Sequence, residues 1–196
     1  MRDHQPTHAH ARPSHEPSAL DPRAPFVLDT RDLPRTPGAM RVVDRMVPAQ
    51  ADLGLELVRV PEGEPISLHV RLESVSEGVL VSARAHAAVR GECGRCLREI
   101  DDTLDVEFQQ LYAYEHSTTE QTTDEDEVGR VHGDLIDLEP DVRDAVVLAL
   151  PMNPTCRPEC PGLCAGCGVP WDELPAGHSH DQTDPRWAAL AQLRKS

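Results

Sequence analysis

The fold is decided by residues 66–72, ISLHVRL, and residues 79–89, VLVSARAHAAV. Apolar side chains occupy every second position of both runs, and mostly Ser, His and Arg stand between them. Successive side chains of a strand point to opposite faces, so this alternation predicts two strands with one buried and one wet face. Glu77 and Gly78 lie between the runs and predict the turn of a hairpin.

Weaker strand patterns surround this hairpin. Residues 104–114 predict a further strand, residues 26–30 a short one, and the leucines at 53, 55 and 57 another. Residues 31–48 contain three prolines and one glycine, so we expect turns there and a short helix around 38–46. These patterns predict an antiparallel sheet with one wet face.

The C-terminal third predicts two helices on either side of a cysteine-rich segment. Residues 138–150 carry apolar side chains at helical spacing, Asp137 can cap the first turn, and Pro151 ends the helix. Residues 185–194 predict a short terminal helix, in which Trp187 is the expected packing anchor.

Composition argues against several classes of function. The chain has 34 acidic and 19 basic residues and a net charge of −15, which disfavours a phosphate-binding surface, because nucleic-acid affinity comes mostly from Lys and Arg. Its apolar runs are too short for a membrane, and its N-terminus lacks the apolar stretch of a secretory signal, so we expect a cytoplasmic protein. The sequence has no H-E-x-x-H, Gly-rich phosphate loop or G-x-S-x-G motif, so we expect no enzyme activity.

The cysteines form the main candidate site. Cys93 and Cys96 are spaced C-x2-C at the tip of a predicted hairpin, where such a knuckle supplies half of a tetrahedral zinc site. In a chain without an export signal, this spacing favours metal binding over disulfides. The other candidate ligands follow the predicted helix: Cys156, Cys160, Cys164, Cys167, His178 and His180.

Two arrangements of these ligands stay open, so the sequence predicts Zn²⁺ at one site or two. In one arrangement, the first zinc is bound by Cys93, Cys96, Cys156 and Cys160, and the second by Cys164, Cys167, His178 and His180. In the other, the two C-x2-C knuckles pair directly, as in a zinc ribbon, and Cys156 and Cys160 are left over. A four-thiolate site has no open position and is therefore structural.

Two other chemistries use similar cysteines. A thioredoxin-like C-x-x-C begins a helix after a strand, whereas the residues after Cys96 lead into another strand, which disfavours redox catalysis. An iron–sulfur cluster would also accept four thiolates and stays an alternative.

The predicted fold class is α+β: an antiparallel β-sheet with a C-terminal helix, a Cys-rich zinc-binding segment and a short terminal helix. Four segments follow along the chain. They are a disordered His- and Pro-rich tail (1–24), an antiparallel β domain with the zinc knuckle (25–114), an acidic loop (115–136), and the helix, cysteine cluster and terminal helix packing on the same domain (137–196).

The order of these motifs resembles a known family. Cys93-Gly-Arg-Cys96 is followed by Cys156-x3-Cys160-Pro-Gly-Leu-Cys164-x2-Cys167 and by Asp184-Pro-Arg186-Trp. Over about residues 26–194 this resembles the YceD family, the large ribosomal RNA subunit accumulation proteins. Some members of that family keep equivalents of Cys93, Cys96 and the 156/160 pair but lack 164/167, which implies that the first four form the common site. Many members with the full cluster carry Cys-x-Cys where this chain has His178-Ser179-His180, a departure that preserves ligands suited to zinc.

The resemblance implies a non-enzymatic accessory factor in ribosome biogenesis that supports synthesis, processing or stability of large-subunit ribosomal RNA. The acidity favours ribosome-assembly or rRNA-processing proteins as partners, with any RNA contact indirect. Two other hypotheses stay open. One is a zinc- or redox-responsive regulator acting through protein–protein contacts, and the other is a nucleic-acid-binding zinc ribbon, whose affinity would collapse with salt.

Overall fold

The predicted hairpin lies at the centre of the main sheet. In the computed structural model, which describes residues 20–51, 53–123 and 128–180, strand β4 (Pro65–Val75) pairs antiparallel with β5 (Gly78–Glu92). Exposed and buried residues alternate along both strands, and Ile66 and Leu72 are completely buried. The alternation in the sequence therefore identifies the core face of this hairpin correctly.

The remaining strands extend this sheet and form a second, smaller one. The main sheet has the order β2 (Met40–Pro48), β4, β5, β6 (Glu99–Ala113) and β7 (Gly129–Arg130), and β3 (Val58–Arg59) pairs with the end of β5. Pairing is antiparallel except between β6 and β7. The second sheet pairs β1 (Val27–Asp29) with β8 (Leu135–Asp137). The predicted short strand at 26–30 is thus confirmed, and the strand predicted from 104 begins at Glu99.

Helix α2 (Glu139–Ala149) packs against β6 and completes the α+β fold, which is confirmed. Its buried stripe includes Val142 and Val146. The N-cap position is occupied by Leu138, one residue later than predicted, and the Asp137 carboxylate before it accepts a hydrogen bond of 2.9 Å from the Glu139 N–H group. Among the described residues, no helix is long and apolar enough to cross a membrane.

Two local predictions are wrong. Residues 40–48 form strand β2 and contain no helix, because Val43 and Val47 lie opposite Val70 and Ile66 of β4 and add to its buried face. The predicted strand at residues 53–57 is a tight turn, closed by a 2.8 Å hydrogen bond from the Leu55 N–H group to the Val58 carbonyl. The strand lies just after it, in β3.

The predicted acidic loop, 115–136, contains regular structure. It holds helix α1 (Thr118–Thr122), strand β7 and the start of β8. The Ser117 hydroxyl caps α1 by accepting a 3.1 Å hydrogen bond from the Glu120 N–H group. The terminal helix predicted at 185–194 and residues 1–19 of the predicted tail lie outside the described residues.

Candidate metal centre

The first knuckle lies between β5 and β6. The Cys93 N–H group donates to the Arg98 carbonyl and the Leu97 N–H group donates to the Cys93 carbonyl, both at 2.8 Å. Leu97 closes the turn with a left-handed backbone (φ +59°). These two bonds fold the chain back so that Cys93 and Cys96 are both buried beneath the tip.

Cys156 and Cys160 meet this knuckle from the segment after α2. The four sulfur atoms lie within 4.8 Å of one another, with 3.8 Å between Cys93 and Cys160 and 3.6 Å between Cys96 and Cys156. Four sulfurs at about 2.3 Å from a tetrahedral ion are about 3.8 Å apart, whereas a disulfide is about 2.05 Å long. All six cysteines are free thiols. The separations therefore fit one shared ion, and we refer to these four residues as cluster 1.

Hydrogen bonds dock the two halves of cluster 1. The Gly94 N–H group donates to the Pro154 carbonyl at 2.9 Å, and the Arg95 guanidinium donates to the Cys160 carbonyl at 3.0 Å. Ile100 and Leu163 pack against the buried cysteines. The protein chain itself thus brings the two thiol pairs together.

The second knuckle repeats the backbone pattern of the first. The Cys164 N–H group donates to the Val169 carbonyl and the Gly168 N–H group to the Cys164 carbonyl, both at 2.8 Å. Gly168 has the left-handed backbone (φ +73°) that Leu97 has in the first knuckle. Both C-x2-C segments are therefore built in the same way, although a leucine occupies one of the two positions that favour glycine.

Cys164, Cys167, His178 and His180 form cluster 2. Their ligand atoms lie within 4.8 Å of one another. Nε2 of His178 is 3.5 Å from the Cys164 sulfur, 3.6 Å from the Cys167 sulfur and 2.8 Å from Nε2 of His180. A tetrahedral ion with ordinary Zn–S and Zn–N lengths places sulfur and nitrogen ligands about 3.5 Å apart, so this donor set also suits a metal ion. The eight candidate ligands are thus grouped as in the first of the two predicted arrangements.

Backbone N–H groups tune the thiols of both clusters. Burial raises the pKa of Cys93, but the N–H groups of Cys156, Arg95 and Cys96 outweigh it and lower this pKa to about 6. Burial, together with the neighbouring thiols, raises the pKa of Cys156 to about 12. The Gly166 and Cys167 N–H groups lower the pKa of Cys164. Metal ligation requires thiolates, and each knuckle contains one cysteine that ionises readily.

An ion-pair bridge, Arg98–Asp172–Arg157, connects the first knuckle with the short 3₁₀ helix Trp171–Glu173. The Arg98 guanidinium donates to both Asp172 oxygens at 2.6 and 2.8 Å, and Arg157 adds a bond of 3.0 Å. The 3₁₀ helix follows the second knuckle and precedes His178, so the bridge ties the surroundings of the two clusters together. The sequence carries no local signal for this bridge, because Arg98 and Asp172 lie 74 positions apart.

We expect the Asp172 carboxyl to titrate below its ordinary pKa of 3.8, because hydrogen bonds from Arg98, and then from Arg157, stabilise its ionised form. A lowered pKa means that the bridge contributes fully above the ordinary value and is lost as the pH falls through the lowered one. Carbon NMR of the side-chain carboxyl can measure this. Arg98→Gln should raise the pKa more than Arg157→Gln, and equal pKa values in all three proteins would contradict the bridge.

A second expectation concerns Leu97. A non-glycine residue in the left-handed conformation costs the folded state about 1–2 kcal/mol, and glycine relieves this cost. Glycine also gives the unfolded chain more backbone entropy, which destabilises the folded state by roughly 0.5–1 kcal/mol. Leu97→Gly should therefore raise the free energy of unfolding by about 0.5 kcal/mol in urea titration. Leu97→Ala is the control, because it removes the side chain and keeps the backbone cost. A glycine variant less stable than the alanine variant would contradict this account.

Comparison with known proteins bears on these clusters directly. A family model described as large ribosomal RNA subunit accumulation protein YceD matches residues 81–194, a range that contains all eight ligands. The chain belongs to the YceD family. The resemblance in the sequence is thereby confirmed, and the family's name links this chain to large-subunit ribosomal RNA accumulation.

Relatives of this YceD-family chain occur in several bacteria. It is 48% identical over 170 residues to uncharacterized protein Rv2926c of Mycobacterium tuberculosis, covering 87% of this chain and 82% of the relative. It is 46% identical over 170 residues to an uncharacterized protein of Mycobacterium leprae, covering 87% and 78%. Uncharacterized protein YlbN of Bacillus subtilis is 29% identical over 104 residues, covering 53% and 59%. No solved structure matches the chain.

Proposed function

We propose that this protein is a non-enzymatic, zinc-binding accessory factor in ribosome biogenesis that supports synthesis, processing or stability of large-subunit ribosomal RNA. The observation that carries the proposal is cluster 1, four cysteines at the spacing of one tetrahedral ion, inside the region that matches the YceD family. A bound zinc would accept these four thiolates and join the first knuckle to the segment after α2.

The ligand geometry supports a structural zinc and no catalytic one. Catalytic zinc sites keep one position open for water or substrate, whereas each cluster here offers four protein ligands. Three of the four cysteines of cluster 1 are buried, which also limits access of a substrate. The function we propose is therefore binding.

The charge of the chain supports a protein partner. With a net charge of −15, the surface repels phosphates and attracts basic proteins. We propose ribosome-assembly or rRNA-processing proteins in the cytoplasm as partners, and any contact with RNA as indirect.

We expect two zinc ions per chain. Native mass spectrometry of the protein purified without chelator should show both, and His178→Ala with His180→Ala should remove one of them. Cys93→Ser should remove the other. One zinc per wild-type chain would contradict cluster 2 as a site, and none would contradict zinc binding altogether.

The function is tested by depleting the protein in its own host and measuring large- and small-subunit ribosomal RNA with their precursors. We expect mature large-subunit RNA to fall relative to small-subunit RNA, and the wild-type gene to restore it. A variant with both Cys93→Ser and Cys96→Ser should fail to restore it. Unchanged levels and precursors of both RNAs after depletion would refute the proposal.

A second candidate is a zinc- or redox-responsive regulator, which the exposure of Cys167 and His180 in cluster 2 favours. Exposed thiolates are oxidised more readily than buried ones. Mild peroxide should then release zinc from cluster 2 before cluster 1, reversibly with a thiol reductant, as followed with a zinc-sensitive dye. Retention of both ions under peroxide would refute this candidate.

A further inference from the structure

Helix α2 has a second apolar side that faces solvent. Its buried side carries Val142 and Val146 against the core. On another side lie Ala145, Leu148 and Ala149, followed by Met152 after the helix. Leu148 is 85% exposed and Met152 is 84% exposed, the highest values among the large apolar side chains of the described residues. The sequence pattern of α2 did not separate these two sides.

A groove runs between this side of α2 and strand β6. Its cavity volume is about 520 Å³. The apolar lining consists of Val106, Phe108, Ala145, Leu148 and Ala149. We call this cavity the helix groove. Its lining also contains Gln109 and Gln110 of β6.

Carboxylates also line the helix groove. Asp141 and Asp144 lie on the first half of α2, and Glu107 lies on β6, on the opposite face of the strand from Val106 and Phe108. Asp144 is exposed, while the phenol of Tyr112 bonds Asp141 and the guanidinium of Arg84 pairs with Glu107 at 2.8 Å. The neighbouring cavity is lined by Glu115, Glu120 and Asp137, and also by Arg130, which pairs with Glu120 at 3.6 Å. The groove therefore presents apolar side chains around Leu148 and a negative charge at Asp144, one turn earlier in α2.

We propose that the helix groove binds a basic amphipathic helix of a protein partner, with leucine-like side chains against Leu148 and Ala149 and Lys or Arg beside Asp144. Residues 141–148, which carry the helix side of the groove, span about 10 Å along the helix axis, the length of two turns of a docked helix. Charge complementarity selects this occupant over a second copy of the chain, which carries the same net charge of −15. The inference rests on the proposed function, because it names the chemistry of the partner.

The test uses the full-length protein and a fluorescein-labelled peptide of about 18 residues, with leucines at i, i+3, i+4 and i+7 and lysines on the remaining face. A peptide of the same composition in scrambled order reports on charge alone. By fluorescence anisotropy we expect the patterned peptide to bind at least tenfold more tightly than the scrambled one. Leu148→Asp should weaken its binding about tenfold, and Asp144→Asn should weaken it less and reduce its salt dependence.

Val42→Asp is the matched control, because Val42 is another exposed apolar residue, on strand β2, and is 54% exposed. It should leave the affinity within twofold of wild type. Equal affinity for both peptides, or an equal loss of affinity in Leu148→Asp and Val42→Asp, would refute the proposal that the helix groove binds a basic helix. Both side chains are exposed, so neither substitution is expected to unfold the protein.

The same variants separate this inference from the proposed function. In depleted cells, Leu148→Asp should fail to restore large-subunit RNA, whereas Val42→Asp should restore it. If depletion lowers that RNA and Leu148→Asp restores it fully, the proposed role of the helix groove is wrong and the proposed function stands. If depletion leaves the RNA unchanged, the proposed function fails, and peptide binding alone decides whether the groove binds basic helices.

Discussion

Replacing Cys93 with serine should lower the melting temperature by about 10 °C. Cys93 is completely buried, and its sulfur lies 3.8 Å from that of Cys160. A ligand present at a thousand times its Kd stabilises the folded state by about 4 kcal/mol, and loss of that amount lowers the melting temperature of a chain of this size by roughly 8–16 °C. The serine hydroxyl does not replace a thiolate as a zinc ligand, so the variant should lose this contribution.

Calorimetry of wild-type and variant protein, with and without a strong zinc chelator, measures this effect. The chelator should bring the wild type down to the melting temperature of the variant or below it, and should change the variant less. Cys156→Ser is the companion variant, because Cys156 is an exposed ligand of the same cluster and its loss leaves no buried serine hydroxyl. A Cys93→Ser protein that melts with the wild type and retains all of its metal would refute cluster 1 as a site.

Replacing Gly91 with alanine should lower the free energy of unfolding by about 3 kcal/mol. Gly91 lies on β5 between β3 and β6, opposite Val58 and Ile100. A Cβ atom at this position would lie 2.3 Å from the Leu57 carbonyl oxygen and 2.9 Å from the Val58 Cα atom, both of them backbone. Because backbone atoms cannot rotate away as side chains do, β3 must move off β5. Overpacking of this kind costs about 1–3 kcal/mol, and the lost hydrogen bond adds about 1 kcal/mol.

The bond at risk runs from the Glu92 N–H group to the Leu57 carbonyl at 2.8 Å. Glu92 precedes Cys93, so the same displacement should also weaken metal binding at cluster 1. Gly94→Ala is the matched control, because Gly94 lies three residues further on, in the first knuckle. A Cβ atom at Gly94 would be 3.6 Å from its nearest neighbours. Urea titrations of both variants decide the point. A loss of stability in Gly94→Ala as large as that in Gly91→Ala would contradict the backbone clash.

The sequence predicted those parts of the fold in which local pattern and burial agree. Strands β4 and β5 alternate over most of their length, β6 alternates from Leu104 to Phe108, and α2 has a clear apolar stripe, so these elements were predicted. Strand β2 was missed because two of its inward positions are arginines. Arg41 and Arg45 extend across the sheet edge and donate to the carbonyls of Asp29 and Val27 at 3.1 and 2.7 Å. Tertiary hydrogen bonds of this kind leave no periodic signal.

The candidate site shows the same limit. The candidate ligands could be named from the sequence, because cysteine and histidine at these spacings favour few chemistries. The division of these residues into two sets of four could not be predicted, since the spacing C-x3-C-x3-C-x2-C is compatible with both arrangements. In the structure, the hydrogen bonds of Gly94 to Pro154 and of Arg98 to Asp172 select the grouping into cluster 1 and cluster 2.

The two halves of cluster 1 are also separated in time. Cys96 and Cys156 are neighbours in the folded protein and lie 60 positions apart in the chain. At roughly 5–20 residues per second, the ribosome adds those residues in about 3–12 seconds. During that interval the nascent chain presents a C-x2-C hairpin without its partners. Cluster 1 is therefore completed late in biosynthesis, when the segment after α2 has left the ribosome.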